Sequence, residues 1–403
     1  MKAKTYLFIL AGISIGLLYC LYGCYPLIRK EASSPEEALK PVRYFLPHFE
    51  DDLDRASLKL AIQRNLDYLR RIPPNRIFLY GSERVSCTRV IETQQTFLKL
   101  LAQNPDPKTL RHEIRKNFVV LKAAGQASTG KVLFTGYFLP TYQASLVKNK
   151  VFRFPIYRRP DDLITIDLSL FRKRFGRQTI IGRVQGHTVI PYYSREDIDL
   201  KGVLEGKNLE IAWLKDPVDV LFLQIQGSGR LVFPDGTTFC VGYSASNGHP
   251  YRSIGRYMME RGYIDRKEVS MQKIREFLHN HPHLVQKILL HNPSYVFFRI
   301  LDNGPVGSIG VPLTPCRSIA LDARLFPMGA LGYICCKKPV LDSQGNIEKW
   351  IPFSRFVLNQ DTGGAIKGAG RADIFWGTGH YAEIAAGHMR HEGDLYLLVK
   401  KDE

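Results

Sequence analysis

Q-D-T-G-G-A-I-K-G-A-G-R-A-D-I-F-W-G-T-G occupies Gln360–Gly379 and holds two carboxylates, Asp361 and Asp373, among six glycines. Glycine lets the backbone take positive φ or approach a ligand closely, so this density predicts a shaped surface. Asp361 precedes a turn, and Asp373 precedes an apolar run, Ile374–Trp376, that predicts a strand ended by Gly377. If both short strands belong to one sheet, the two aspartates meet across a groove. The alternative is an Asx turn at the first aspartate and a capped strand end at the second.

Length and charge limit the class of protein. The 403 residues are enough for two or three domains with a large core. The formal net charge of +18 is spread along the chain without the Lys/Arg tract of a nucleic-acid-binding tail, so we expect no nucleic-acid partner. Short basic clusters such as Arg172-Lys173-Arg174 would attract an acidic polymer or an anionic membrane surface. The alternative for each cluster is an ordinary solvated surface.

The first two dozen residues differ from the rest of the chain. Two lysines precede an almost unbroken apolar run, Tyr6–Leu21, which is the order of an export signal. The following Leu21-Tyr22-Gly23-Cys24 resembles a bacterial lipobox. We therefore expect residues 1–24 to be a lipoprotein-type signal with lipidation at Cys24, and residues 25–44 to be a linker. An uncleaved membrane anchor and a signal cleaved elsewhere are alternatives, and each places the remaining chain outside the cytoplasm.

The cysteine and histidine patterns do not indicate a metal site. After Cys24 the chain has an odd number of cysteines and no CxxC or zinc-ligand spacing. The histidine-rich run His279–His283 contains a proline and has the polar character of a loop. We therefore expect no disulfide framework, no metal and no cofactor.

Helical periodicity dominates the N-terminal part, and strand patterns dominate the rest. Helices are predicted over Leu53–Ile72, with Asp51-Asp52 as N-caps, over Arg89–Ala102 and over Pro107–Phe118. From Lys131 onward, short runs of β-branched and aromatic residues alternate with Pro and Gly turns. We expect residues 142–242 to form an inserted β-rich domain. Residues 45–141 and 243–403 would then form the helices and a compact β-barrel.

One predicted strand of the insert, Val218–Gln226, carries a pair of amides. Gln224 and Gln226 are two positions apart, so on a strand they share one face. Amides can hydrogen-bond sugar hydroxyls or acetamido groups. The alternative is a pair of exposed glutamines on an edge strand.

From about Phe134 to the C-terminus, several long motifs in a fixed order closely resemble the membrane-bound lytic transglycosylase A family of peptidoglycan-cleaving lipoproteins. The motifs are F-T-G-Y at Phe134–Tyr137, L-Q-I-Q-G-S-G-R at Leu223–Arg230, N-G-H-P-Y-R-S-I-G-R at Asn247–Arg256, S-M-Q-K-I-R at Ser270–Arg275, N-P-S-Y-V-F-F at Asn292–Phe298, V-P-L-T-P-C-R-S-I-A-L-D at Val311–Asp322, and the stretch from Gln360. So many co-linear motifs exclude coincidence.

The resemblance implies a mainly β protein: a double-psi β-barrel with N-terminal helices and an inserted second β-barrel-like domain, with glycan between the two. It implies that Asp373 is the catalytic acid, supported by Asp361. The substrate-binding residues that we expect are Thr135, Tyr137, Gln224, Gln226, Asn247, Lys367 and Asp322. It also implies an envelope lipoprotein on the periplasmic side of the outer membrane. Its partners would be peptidoglycan glycan strands, the membrane that holds its lipid or anchor, and cell-wall enzyme complexes.

The implied reaction cleaves the β-1,4 bond between N-acetylmuramic acid and N-acetylglucosamine, with the muramyl C6 hydroxyl replacing water as the nucleophile. One carboxyl can donate a proton to the glycosidic oxygen and later take the proton of that hydroxyl. Hydrolysis by two carboxylates needs both an acid and a nucleophile or base. Asp373 must then be protonated near neutral pH, and we expect its apolar neighbours and Asp361 to raise its pKa.

Two other functions are compatible with parts of the sequence. Asp361-Thr362-Gly363 resembles the D-T-G of aspartic proteases, but the chain has no second D-T/S-G. A non-catalytic peptidoglycan-binding lipoprotein could use the same barrel, although the intact Asp361 and Asp373 argue against it.

Overall fold

A computed structural model describes residues 30–402, except 177, 267, 303 and 365. The predicted signal over 1–24, with Cys24, lies outside the described residues. Among the described helices, none combines the length and apolar character needed to cross a membrane.

Helices and strands alternate along the described chain. The helices are α1 (Pro35–Ala38), α2 (Arg55–Leu69), α3 (Cys87–Ala102), α4 (Pro107–Asn117), α5 (Arg195–Asp199), α6 (Pro217–Gln226), α7 (Ile254–Glu260), α8 (Met271–Asn280), α9 (Pro282–Leu290) and α10 (His380–His388). Single 3₁₀ turns cover Leu168–Leu170 and Lys173–Phe175. The strands are β1 (Leu39–Pro41), β2 (Ile77–Tyr80), β3 (Glu83–Ser86), β4 (Phe118–Ala123), β5 (Val132–Leu139), β6 (Thr141–Ser145), β7 (Phe154–Tyr157), β8 (Ile164–Asp167), β9 (Thr179–Gln185), β10 (Thr188–Pro191), β11 (Glu210–Leu214), β12 (Ser228–Val232), β13 (Thr238–Ser246), β14 (Val296–Leu301), β15 (Ser318–Ala320), β16 (Leu331–Leu341), β17 (Ile347–Asp361), β18 (Arg371–Thr378) and β19 (His391–Lys400).

Six strands close into a barrel in the order β19-β16-β17-β15-β18-β5, and the pairing of β5 with β19 completes the ring. The contacts β15–β17 and β18–β5 are parallel, whereas β15–β18, β16–β17, β16–β19 and β5–β19 are antiparallel. β4 and then β1 extend the sheet beyond β19, so α1 and β1 lie within the predicted linker 25–44. The predicted mainly β fold is confirmed. The double-psi crossing stays a prediction.

The N-terminal helices pack on this barrel through one apolar core. The side chains at helical spacing in α2, Leu58, Ile62, Leu66 and Leu69, are all buried in that core, as the pattern predicts. Largely apolar helix faces of this kind gain their stability from burial against a neighbouring layer.

Two buried ion pairs fasten the start of α2 to the barrel. Arg317 Nη1 lies 2.6 Å from Asp51, and Arg355 contacts Asp52 through two hydrogen bonds of 2.8 Å. The prediction that Asp51-Asp52 cap the helix is wrong, because both acids are needed by these buried guanidinium groups. Asp54 is the cap, and its carboxylate accepts the Ser57 amide at 2.7 Å.

A second sheet follows where the chain leaves the barrel at Pro140. Its order is β14-β13-β12-β6-β11-β7, and a single bridge between Arg158 and Phe298 links its two edges. β8, β9 and β10 form a separate three-stranded sheet. Residues 234–236 form the turn that joins β12 to the antiparallel β13. The sheet continues to Leu301, and the domain bounds 142–242 stay a prediction.

The predicted strand Val218–Gln226 is wrong: this segment is α6. Asp216 caps its first turn by accepting the Val218 amide at 2.8 Å, Pro217 occupies the first helical position, and Gly227 ends the helix at φ 76°. Its apolar residues are buried on nearly all sides, so the sequence shows no helical periodicity.

The histidine-rich run is also less of a loop than predicted, since His279 belongs to α8 and Pro282 begins α9. His281 remains between the two helices, where its ring stacks on Phe277 at 4.1 Å.

Candidate active site

Residues from four neighbouring barrel strands form one row across the sheet. Ala320 of β15 pairs with Asp361 on one side and with Asp373 on the other. Asp373 pairs in turn with Thr135 of β5. Side chains of directly paired residues project from the same face of a sheet, so the two aspartates and Thr135 are brought together. We call these residues, Asp361, Ala320, Asp373 and Thr135, the aspartate row.

Asp373 is held by two neighbours. The Thr135 hydroxyl donates a short hydrogen bond to its Oδ1. Arg371 Nε lies 3.8 Å from the same oxygen, and Arg371 Nη2 donates to Thr135 Oγ1 at 3.3 Å. Nε of Arg371 is buried and has no hydrogen-bond acceptor in the described part of the chain. The carboxyl side chain is 19% exposed, which leaves it reachable from solvent.

Burial raises the pKa of Asp373 from 3.8 to about 6. The positive charge of Arg371 opposes this rise, and the negative charge of Asp361 adds to it. Burial and a like charge both disfavour a carboxylate, which is the direction predicted from the sequence. A carboxyl with this pKa can exchange a proton close to neutral pH.

Asp361 accepts hydrogen bonds from three donors. Tyr137 Oη donates to its Oδ2 at 2.8 Å, and the amides of Ser308 and Thr362 donate to its Oδ1 at 2.9 Å each. The Tyr137 side chain is half-buried, and its ring lies beside Phe375 with ring centroids 5.3 Å apart. Burial, followed by the charge of Asp361, raises the pKa of Tyr137 well above its usual value, so the phenol remains a donor.

The Ser308 contact depends on a close backbone approach at Gly307. A Cβ at this position would lie 2.4 Å from the carbonyl oxygen of Gln360, directly before Asp361. No real side chain tolerates that distance, so glycine is required for the Ser308 amide to reach the carboxylate.

Asp322 has its own partners. Arg324 donates to it at 2.9 and 2.7 Å, and the Gly368 amide donates at 2.8 Å. The hydrogen bonds of Arg324 are the main reason that the pKa of Asp322 falls to about 2, although burial opposes them. Asp322 therefore fastens the loop that carries Lys367, whose side chain is exposed.

Gln224 and Gln226 do not share a face, because α6 is a helix and residues two apart diverge around it. Gln224 is buried and accepts a short hydrogen bond from Arg195. Gln226 lies at the helix end, where its Nε2 is 3.1 Å from the sulfur of Met271. The shared sugar-facing strand face predicted for the two amides is therefore wrong.

Asn247 is buried and braces the loops of the second sheet. Its amide donates to Tyr193 O at 2.9 Å and Pro293 O at 3.0 Å, and its oxygen accepts the Tyr295 amide at 2.8 Å. These contacts use the hydrogen-bonding capacity of the side chain. In the same region the His249 ring contacts the carbonyl of Tyr192 through Nε2 at 2.8 Å.

Sequence reasoning missed three residues of the site. Arg371 lies in the quoted stretch, only two positions before Asp373, and that spacing on one strand was a usable signal for a shared face. Gly307 and Ser308 lie 54 and 53 positions before Asp361, and nothing in the local sequence links them to it.

Comparison with known proteins gives two family matches. The family model described as "MltA specific insert domain" matches residues 133–299, and the "3D domain" model matches residues 317–399. A Vibrio cholerae protein named membrane-bound lytic murein transglycosylase A is 29% identical over 392 residues, covering 96% of this chain and 94% of the relative. The Escherichia coli protein of the same name is 34% identical over 277 residues, covering 68% of this chain and 67% of the relative.

Solved structures agree with these matches. MltA from Neisseria gonorrhoeae superimposes with a TM-score of 0.71 at 30% identity, covering 93% of this chain and 98% of that structure. E. coli MltA with bound chitohexaose gives a TM-score of 0.62 at 27% identity, covering 94% of this chain and 100% of that structure. The family resemblance seen in the sequence motifs is therefore confirmed, and this chain belongs to the membrane-bound lytic murein transglycosylase A family.

Proposed function

We propose that this protein is a peptidoglycan lytic exotransglycosylase that leaves 1,6-anhydromuramic acid ends. The observation that carries the proposal is a single reachable carboxyl with a pKa of about 6, Asp373, whose one close carboxylate neighbour, Asp361, is already engaged by three donors. Family membership and the chitohexaose bound to the E. coli relative support a sugar chain as the ligand.

In the proposed mechanism, Asp373 both gives and takes one proton. Protonated Asp373 donates to the oxygen that leaves with N-acetylglucosamine as the bond from muramyl C1 breaks. The resulting carboxylate then takes the proton of the muramyl C6 hydroxyl while that oxygen forms the new bond to C1. Atoms and charge balance without water, and Asp373 ends protonated for the next cycle.

The neighbours of Asp373 serve this cycle in different ways. Thr135 orients the carboxyl, and the negative charge of Asp361 favours its protonated state and a cationic sugar transition state. Arg371 favours the carboxylate that forms after proton donation. We call Thr135, Asp361 and Arg371 positioning or tuning residues.

We further propose that the glycan lies between the barrel and the insert, within reach of Tyr137, Lys367 and Gln226. Asp322, Gln224 and Asn247 are buried, so in this proposal they hold the surrounding loops and do not contact the sugar. A small apolar cluster supports this position, because Leu139, Leu313 and Phe375 of the barrel side pack with Cys240 of the insert beside Tyr137. The relatives are named membrane-bound, and this supports attachment to the cell envelope. Lipidation at Cys24 on the periplasmic side of the outer membrane, with cell-wall enzyme partners, is the specific form that we propose.

Digestion of purified sacculi with mass analysis of the products tests the proposal. We expect muropeptides with 1,6-anhydro ends. Reducing ends would indicate hydrolysis, cleaved peptides would indicate a protease, and sacculus binding without release would indicate a non-catalytic protein. Any of these three results would overturn the proposed activity.

A further inference from the structure

We propose that a second surface of this protein docks on an anionic phospholipid bilayer. We call it the basic face, and it consists of Arg43, Tyr44, Phe45, Lys108, Arg111 and Arg115 around an open groove of about 470 Å³. This inference concerns how the molecule is held in the envelope, and it stands whether or not the proposed reaction is correct.

Three bases of the face form a stripe along α4. Lys108, Arg111 and Arg115 are three and four positions apart, which places them on one side of the helix, while Leu110 and Ile114 are buried on the other. Arg43 joins them from the segment that follows β1. Four bases on one face make a local positive field that the neutral parts of the surface do not have.

Two acids, Glu113 and Asp106, lie close to this stripe, and both are engaged by neutral donors. Glu113 lies on α4 but accepts a hydrogen bond from Asn117 at 2.9 Å. Asp106 caps the start of the helix and accepts the amides of Lys108 and Thr109 at 2.8 and 3.1 Å. Within residues 30–402 as described, the ion pairs include none of the four bases of the face. Their charges are therefore available to a partner.

Two large aromatic side chains project beside the bases. Tyr44 is 75% exposed and Phe45 is 98% exposed. Phe45 also has a positive φ of 57°, which is unfavourable for a bulky residue. Phe49 shares that conformation at φ 61° but is fully buried, so core packing offsets its strain. The protein itself gives Phe45 no such compensation.

This exposed segment is held in place. Arg111 Nη2 donates to the carbonyl of Leu46 at 2.8 Å, and the Val42 amide donates to Val120 O at 2.8 Å. The aromatic rings are thus presented next to the basic stripe by contacts at both ends of residues 42–46.

Aromatic rings beside Lys and Arg favour a lipid surface over a soluble acidic polymer. The rings enter the headgroup region while the bases contact lipid phosphates, whereas an acidic polymer would use the bases alone. The position of the basic face in the sequence also favours a lipid surface. The apolar run of the predicted anchor ends at Leu21, and Tyr44 follows only 23 positions later. One apolar anchor combined with one basic patch gives stable attachment, since the second contact becomes intramolecular.

Docking of the basic face would also orient the catalytic part. The basic face lies where α4 leads into β4. This strand pairs with β19 as an extension of the sheet and is not one of the six strands of the closed barrel. The aspartate row is carried by ring strands, so the row is not part of the docking surface.

Hydrogen exchange of the full-length protein, reconstituted in vesicles, tests the proposal. The vesicles are phosphatidylcholine alone or phosphatidylcholine with phosphatidylglycerol. Each base near an anionic surface favours partitioning by about fivefold. We therefore expect residues 43–46 and 107–117 to exchange at least about fivefold more slowly in the anionic vesicles. The double variant Lys108→Glu with Arg115→Glu should lose this difference.

A matched control reverses two exposed bases outside the basic face, Lys287→Glu in α9 with Arg299→Glu in β14, and should keep the slower exchange. Unchanged exchange of the barrel strands shows that each variant is folded. Equal exchange of the basic face in both vesicles would overturn the proposal, as would slowing that persists in the Lys108→Glu, Arg115→Glu variant. Equal slowing by soluble polyglutamate in neutral micelles would instead identify an acidic polymer as the partner.

Discussion

Asp361 and Asp373 pair with the same residue, Ala320, from opposite sides. One strand therefore separates them, and at a strand spacing of about 4.8 Å their backbones are roughly 10 Å apart. The sheet fixes this separation of the two backbones. It lets the charge of Asp361 raise the pKa of Asp373 without a direct bond between the two carboxyls.

Asp373→Asn should remove lytic activity, because the amide cannot donate the proton that the leaving oxygen needs. Loss of a general acid costs about 10²- to 10⁴-fold in rate. The measurement is release of anhydromuropeptides from sacculi, with glycan binding assayed on the same sample. We expect binding to remain, and normal turnover by this variant would show that another group is the acid.

Asp361→Asn should slow the reaction less than Asp373→Asn and should also move the pH profile. Wild-type kcat/KM should fall as the pH rises through about 6, since Asp373 loses its proton there. The charge of Asp361 raises that pKa, so its removal moves the falling limb to lower pH. A rate loss equal to that of Asp373→Asn would mean that the roles of the two aspartates are misassigned.

Arg371→Gln should move the same limb in the opposite direction. Arg371 stabilises the carboxylate of Asp373, so without its charge the pKa of Asp373 rises and the limb shifts to higher pH. Arg371→Lys keeps the positive charge and should leave the limb nearly in place. Identical pH profiles for the Gln and Lys variants would exclude an electrostatic role for Arg371.

The sequence predicted Asp361 and Asp373 from one motif and Thr135 and Tyr137 from another, and it missed Arg371 beside Asp373 as well as the contacts made by Gly307 and Ser308. Asp361 and Asp373 flank one loop, so a shared sheet already implied that they meet. Ser308 reaches Asp361 from a distant loop through an amide, which any residue type provides, so its identity carries no signal. The α6 segment was mistaken for a strand because burial on nearly all sides removes the polar positions that reveal a helical period.

Burial of the ionised Asp373 carboxylate should lower the free energy of unfolding at high pH, and replacing Asp373 with Asn should restore it. Its pKa is about 6 in the folded state against 3.8 as an ordinary value, so the folded state binds more protons between these values. Stability contributed by the neutral carboxyl is therefore lost as pH rises from about 4 to about 6. At pH 8, Asp373→Asn should be more stable than wild type by up to about 3 kcal/mol, and the two should converge below pH 4.

Asp322→Asn is the matched control with the opposite sign. Its folded-state pKa of about 2 lies below the ordinary 3.8, so its ionised form stabilises the fold above about pH 4. We expect the variant to lose about 1–2 kcal/mol at pH 8, less than the full shift implies because Arg324 is exposed and screened. Denaturant unfolding at pH 8 and below pH 4 measures the unfolding free energy of both variants relative to wild type. If Asp373→Asn and Asp322→Asn changed this free energy at pH 8 with the same sign, the assigned environments would be contradicted.

Gly307→Ala should uncouple Ser308 from Asp361. The new methyl group would lie 2.4 Å from Gln360 O, and the backbone must move away to accommodate it. Overpacking of this kind costs about 1–3 kcal/mol, and the displaced Ser308 amide no longer holds the Asp361 carboxylate. We expect a lower kcat and a reduced unfolding free energy. Gly364→Ala is the control, because a Cβ there meets no atom of the described residues within 4 Å and its φ is not positive. If both alanine variants behaved alike, the loss would reflect general loop flexibility and not the close approach at Gly307.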